Sequence, residues 1–159
     1  MLNNLKLDKV LFLDIETVPQ QSSYKDLSER MSGLWDKKAK QLTQREGVSQ
    51  SAEEIYNRAG IYSEFGKIVC ISLGMIHGED KNLEFRLKSF YGDDEKKLLE
   101  EFAKLLNTYY SKVDDILCGH NAKEFDFPYI CRRMLVNGIK LPKTLDISGK
   151  KPWEIAHLD

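Results

Sequence analysis

Leu11-Phe12-Leu13-Asp14-Ile15-Glu16-Thr17 places two carboxylates at the end of an apolar run. Successive side chains of a strand point to opposite faces. Val10, Phe12, Asp14 and Glu16 therefore share one face, and Leu11, Leu13 and Ile15 share the other. The first face turns from apolar to doubly acidic along its length. Neighbouring carboxylates repel, and burial raises that cost. A hard divalent cation such as Mg²⁺ or Mn²⁺ removes it, because such ions prefer carboxylate oxygen. A strand that simply emerges into solvent at Asp14 is the competing explanation.

A second stretch, Cys118-Gly119-His120-Asn121-Ala122-Lys123-Glu124-Phe125-Asp126, lies far downstream. Ile116-Leu117-Cys118 has the look of a short buried strand, and Gly119-His120-Asn121 that of the turn ending it. Phe125-Asp126-Phe127-Pro128 then opens an apolar-periodic helix running to Val136. Proline suits a first helical turn and Asp suits the cap region, so Asp126 could also be only a cap, and Asn121 only a turn residue.

Together the two stretches resemble a known family. Leu13-Asp14-Ile15-Glu16-Thr17 looks like the first motif of the DEDD (DnaQ-like) 3′–5′ exonucleases, and Gly119-His120-Asn121 with Phe125-Asp126 looks like their second. The similarity is closest to bacterial predicted 3′–5′ exonucleases related to the proofreading domain of family B DNA polymerases. Ala59-Gly60-Ile61-Tyr62-Ser63-Glu64-Phe65-Gly66-Lys67-Ile68-Val69-Cys70-Ile71-Ser72 supports that subgroup. The resemblance implies an RNase H-like α/β fold, a mixed sheet with flanking helices. It implies two-metal hydrolysis with Mg²⁺ or Mn²⁺. Asp14 would bridge two ions, Glu16 would bind the ion holding the attacking water, and Asp126 would support the second ion. Thr17, Asn121 and Phe125 would contact the terminal nucleotide and the scissile phosphate. The implied partner is nucleic acid, single-stranded DNA being favoured over RNA.

The family's third motif, a helical Tyr or His followed a turn later by a fourth acid, is not found in the 159 residues. Asp159 reads as a structural acid near a strand, His157 does not read as the general base, and Asp146 falls in a loop. The expectation is a domain truncated before its C-terminal helices, weak or inactive by itself. A catalytically inactive nucleic-acid- or partner-binding module of the same fold is the alternative. A hydrolase of small phosphate esters is a third candidate, disfavoured by the context of Asn121, Phe125 and Asp126.

Composition is compatible with this. The length suits one domain, expected over residues 1–159 with a helical insertion at about 20–63. The apolar content of 42% is ordinary, and the net charge of −1 argues against a protein held on nucleic acid by bulk charge. Local cations remain: Lys123, Arg132 and Arg133 flank the second motif and could meet phosphates, or the arginines could form a solvated helix face. Cys70, Cys118 and Cys131 show no metal-ligand spacing and sit in apolar segments. Buried free thiols in a reducing cytoplasm are expected. The N-terminal apolar run is too short to span a membrane.

The remaining elements follow from periodicity. Strands are expected at Lys9–Glu16, Lys67–Ile76 and Leu83–Phe90, the last from alternation of Leu83, Phe85, Leu87 and Ser89 with charged residues. Helical stretches are expected at Tyr24–Gln44 and Ser51–Ala59. Leu27, Met31, Leu34 and Trp35 form a stripe that would pack the insertion onto the sheet, a flap over the substrate terminus being the alternative, and Ser51-Ala52-Glu53-Glu54 forms a capping box. Asp93-Asp94-Glu95 opens a helix whose apolar face holds Leu98, Leu99, Phe102, Leu105, Leu106 and Tyr109. His77–Asn82 should be a loop.

Overall fold

Alternation in the first apolar run becomes β1 (Val10–Pro19), which runs on past the expected end at Glu16. Leu11, Leu13 and Ile15 are buried while Asp14 and Glu16 on the other face are exposed. The computed structural model describes residues 5–78 and 82–159. Part of the expected His77–Asn82 loop, Glu79 to Lys81, lies outside the described residues. The remaining elements are α1 (Glu29–Glu46), β2 (Gly66–His77), β3 (Glu84–Tyr91), α2 (Glu95–Tyr109), β4 (Ile116–Cys118) and α3 (Asp126–Val136).

The strands form one mixed sheet in the order β3-β2-β1-β4. β2 and β3 pair antiparallel, with Ile71 opposite Phe90 and Gly74 opposite Leu87. β1 and β4 pair parallel, with Leu11 beside Leu117 and Phe12 beside Cys118. Leu158 bridges Cys118 in parallel, its N–H donating to the Leu117 carbonyl at 2.9 Å, so the returning chain adds to the free edge of β4. This is an α/β, RNase H-like arrangement.

The chain divides into two compact units: residues up to Glu16 together with Ile68–Asp159, and Thr17–Lys67. In the first, the core lies between one face of the sheet and helices α2 and α3. Leu11, Leu13, Ile71, Leu73 and Leu117 meet Leu99, Phe102, Leu106, Ile130 and Met134 there. The alternation in β3 is real, but its apolar positions point outward: Phe85 and Leu87 are 61% and 73% exposed. Phe90 is the β3 side chain that enters the core, edge-on to Phe102 of α2. Burial follows the side on which α2 lies.

In the second unit, α1 starts later than the stripe suggests. Tyr24–Asp26 is a separate 3₁₀ turn, and Ser28 caps α1 by accepting from the Met31 N–H at 3.3 Å. Gly47, at φ 68°, ends α1 in the left-handed conformation that glycine tolerates best. Trp35 and Met31 pack into a core belonging to this unit, with Ala39, Ile55, Tyr56 and Phe65. The Ser51 capping box forms, with Ser51 N–H and hydroxyl both on Glu54 Oε2 at 2.7 and 2.8 Å. No α-helix follows it: a turn leads into a 3₁₀ helix, Tyr56–Ile61. Ile55, Tyr56 and Ala59 are drawn into the Trp35 core, and Gly60 lies so close to Val18 that a Cβ would sit 3.0 Å from its carbonyl carbon.

Candidate active site

Three of the expected site residues lie along β1 just past the end of β4, whose last residue Cys118 pairs with Phe12, and at the start of α3. Asp14 and Glu16 stand two residues apart on the uncovered face of β1, and both are exposed. Asp126 is the first residue of α3 and is 4% exposed. Its Oδ1 accepts the Ile15 N–H at 3.1 Å, across 111 residues of sequence. The helix cap is Phe125, whose side chain makes no cap hydrogen bond. Asp126 is thus a clasp between α3 and β1, its carboxylate beside the residue that separates Asp14 from Glu16.

The turn before α3 makes this approach possible. Asn121 is the one non-glycine among the described residues with positive φ, at 53°. This sharp reversal suits Asn better than most residues. A Cβ on Gly119 would lie 2.7 Å from the Ala122 Cβ and 2.8 Å from the Leu13 carbonyl oxygen. Only glycine therefore lets the second motif come this close to β1. The Asn121 and Ala122 carbonyls accept the Phe125 and Phe127 N–H groups. The Ala122 N–H donates to Asp159 Oδ1 at 2.8 Å. Asp159 pins the turn, a role that nothing in the local sequence around it announces.

Charge is crowded at this end. Burial pushes the Asp126 carboxyl up from its ordinary range, opposed by the Ile15 N–H and reinforced by Asp14 and Asp159. That repulsion is what a bound cation neutralises. The donor set fits a hard divalent ion in type, because Asp14, Glu16 and Asp126 all offer carboxylate oxygen. Among the described residues, no three His, Cys, Asp or Glu side chains form a group that could hold a metal ion.

The remaining expected residues fall as follows. Thr17 continues β1 and is half-buried, and Asn121 is exposed on its turn. Phe125 is half-buried, its ring 5.4 Å from that of Tyr129. Asp14 also borders an open recess of about 440 Å³ whose walls include Phe12, Gly74, Phe85 and Cys118.

Arg133 is neither a phosphate contact nor part of a solvated face. It is 5% exposed and pairs with the equally buried Glu95 through Nε at 2.9 Å and Nη2 at 2.6 Å. Glu95 also accepts the Ile68 N–H at 2.7 Å and Asn137 Nδ2 at 3.0 Å. The acid expected merely to favour a helix start instead ties α2, α3 and β2 together, and Asp94 is the actual cap. Arg132 and Lys123 are exposed.

His157 is structural. Its Nδ1 accepts the Leu117 N–H at 3.2 Å, so Nε2 carries the proton and donates to the Thr144 carbonyl at 2.8 Å. Burial holds its pKa below the ordinary value. The three thiols are free and half-buried rather than fully buried, and burial pushes Cys131 up to about 11. Among the described residues, no helix is long and apolar enough to cross a membrane.

A family model described as DNA polymerase family B, exonuclease domain, matches residues 6–155. No curated protein matches the chain.

Proposed function

The chain belongs to the DNA polymerase family B exonuclease-domain family, and from that premise we propose that it supplies the first two motifs of a metal-dependent 3′–5′ exonuclease. The substrate is the 3′ end of nucleic acid, single-stranded DNA in the first instance. The observation that carries this proposal is the 3.1 Å hydrogen bond from Ile15 to Asp126, which joins the acids of two distant motifs at one strand end. Residues 1–159 belong to one exonuclease domain carrying a helical insertion at about 20–63.

Asp14, Glu16 and Asp126 are the carboxylates that would hold Mg²⁺ or Mn²⁺, two ions in the complete site. When bound, such ions lower the pKa of water and stabilise charge on phosphate oxygens. The chain's own residues do the positioning. Ile15 N–H fixes one Asp126 oxygen. The αL turn at Asn121 and the close contact at Gly119 set the distance between the motifs. Asn121 and Phe125 would border the terminal nucleotide.

The test uses 3′- and 5′-labelled single-stranded DNA and RNA, with Mg²⁺, Mn²⁺ or chelator. Stepwise shortening from the 3′ end, dependent on metal and absent in Asp14→Ala, is expected of a protein that also carries the third motif, residues 1–159 alone being weak or inactive. A well-folded Asp14→Ala protein with unchanged turnover would overturn the site assignment. Binding of nucleic acid with no shortening under any metal condition would favour a non-catalytic module instead.

A further inference from the structure

Downstream of α3, the segment from Lys140 to Trp153 carries Lys140, Lys143, Lys150 and Lys151 against Asp146 alone. In a chain whose net charge is −1 this is a local concentration of cations. It ends at Trp153, which is 77% exposed on a short 3₁₀ turn, Pro152–Glu154. The Lys151 ammonium sits 5.3 Å from the centre of the indole ring. An indole left in water with a lysine over it contributes nothing to the core.

Two clefts border the segment. The first, about 480 Å³, has Lys123, Arg132, Asp146, Pro152 and Ile155 among its lining residues. Lys123 belongs to the turn before Asp126 and Pro152 immediately precedes Trp153, so the cleft is bordered by residues next to both. Ile147, Ile155 and His157 separate it from the second, about 310 Å³, which gathers Lys112, Lys143 and Lys150. The two carboxylates of that cleft are already engaged. Asp115 accepts the Lys112 N–H at 2.7 Å and faces Lys9 at 3.9 Å, while Glu154 accepts the Lys151 N–H at 2.7 Å. Among the described residues, no carboxylate lies within ion-pair distance of the Lys112, Lys143 or Lys150 ammonium.

Cations lining a groove beside a bare aromatic ring are the usual means of holding a single strand without reading its sequence. We propose that Lys143, Lys150 and Trp153 form a second contact for single-stranded nucleic acid. A strand whose 3′ end lies at Asp14 and Glu16 passes Lys123 and Arg132, stacks a base on Trp153 and rests its phosphates among Lys112, Lys143 and Lys150. This rests on the exonuclease activity proposed above and adds the path of the substrate upstream of the cleaved bond. It also explains how a chain of net negative charge retains its substrate: the cations needed are local.

The two tryptophans make the test direct. Trp35 is fully buried and Trp153 is exposed. Oligo(dT) or oligo(rU) titrated into the full chain in chelator should quench the red-shifted Trp153 emission and leave that of Trp35 unchanged. Trp153→Ala should abolish the quench, keep the blue-shifted Trp35 emission as proof of folding, and weaken binding about tenfold. Lys143→Glu with Lys150→Glu should weaken binding at least as much. It should also make the slope of log affinity against log salt shallower, by roughly 0.7 for each phosphate no longer neutralised. Similar effects with dT and rU identify backbone and stacking contacts, whereas a difference that persists between oligo(dU) and oligo(rU) identifies which sugar is held. Variants that bind within twofold of wild type, or a wild type whose Trp153 emission is untouched, would overturn the second contact. If those variants still shorten 3′ ends, the exonuclease activity stands without it. If wild type neither binds nor cleaves, both fail.

Discussion

Replacing Glu95 by alanine should cost the protein much of its stability, because the change strands a buried cation. Glu95 and Arg133 are 7% and 5% exposed. The carboxylate accepts from Arg133 Nε and Nη2, the Ile68 N–H and Asn137 Nδ2. Burial alone would raise the Glu95 pKa, but the hydrogen bonds from Arg133, Ile68 and Asn137 outweigh it and leave it lowered. Removing one partner of such a pair costs about 3–5 kcal/mol, since the other charge stays desolvated. The orphaned Ile68 N–H adds to this, while water entering the space left behind subtracts, so about 4 kcal/mol is expected. For a chain of this size that is a fall in Tm of roughly 8–16 °C. Thermal melts and urea titrations of Glu95→Ala, Glu95→Leu, Arg133→Met and the double variant Glu95→Leu with Arg133→Met would measure it. The double variant should be more stable than either single, because it leaves no unpaired charge. The lowered pKa gives the pH signature: the carboxylate's contribution is complete above about pH 4.5 and is lost as pH falls through the folded value. A loss below about 1 kcal/mol in Glu95→Ala, or additive single variants, would refute the idea that this pair clamps α3 to β2 and α2.

Asp126→Asn keeps an oxygen for the Ile15 N–H and removes repulsion with Asp14. The metal-free protein should melt at the same temperature or higher while metal-dependent cleavage falls by about 100-fold or more, and a large drop in Tm would contradict the charge-crowding account. Gly119→Ala forces a Cβ against Leu13 and Ala122. It should cost about 1–3 kcal/mol in urea unfolding and depress cleavage further by displacing the Asp126 turn, whereas wild-type values in both assays would show that the close approach relaxes freely. His157 titrates below its ordinary 6.5 in the folded chain. The unfolded chain therefore takes up a proton first as pH falls, so stability present above about pH 6.5 declines below it. The urea midpoint should fall between about pH 7 and pH 5.5, and His157→Asn should flatten that slope.

Much of the fold was legible because local periodicity reports which side chains can share a face. The alternation of Leu11, Leu13 and Ile15 against Asp14 and Glu16, and the apolar face of α2, are properties of short segments. The two acid-bearing motifs were legible for a related reason, since each is compact and chemically unusual. Periodicity does not say which face another element will cover. Phe85 and Leu87 alternate as well as any core residues, yet they stand exposed because α2 packs on the side of Phe90. Nor does it give long-range partners. Arg133 reads as a phosphate contact or a solvated charge and Glu95 as a helix opener, yet they are a buried pair. Asp159 reads as a structural acid near a strand, but only the fold shows that it holds the second-motif turn, as His157 holds β4. Asp126 shows both sides. Its acid and its place at a helix start belong to the sequence alone. Its clasp on Ile15 exists only because Gly119 lets two distant segments meet, and hydrogen bonds and ion pairs depend on such distances in space.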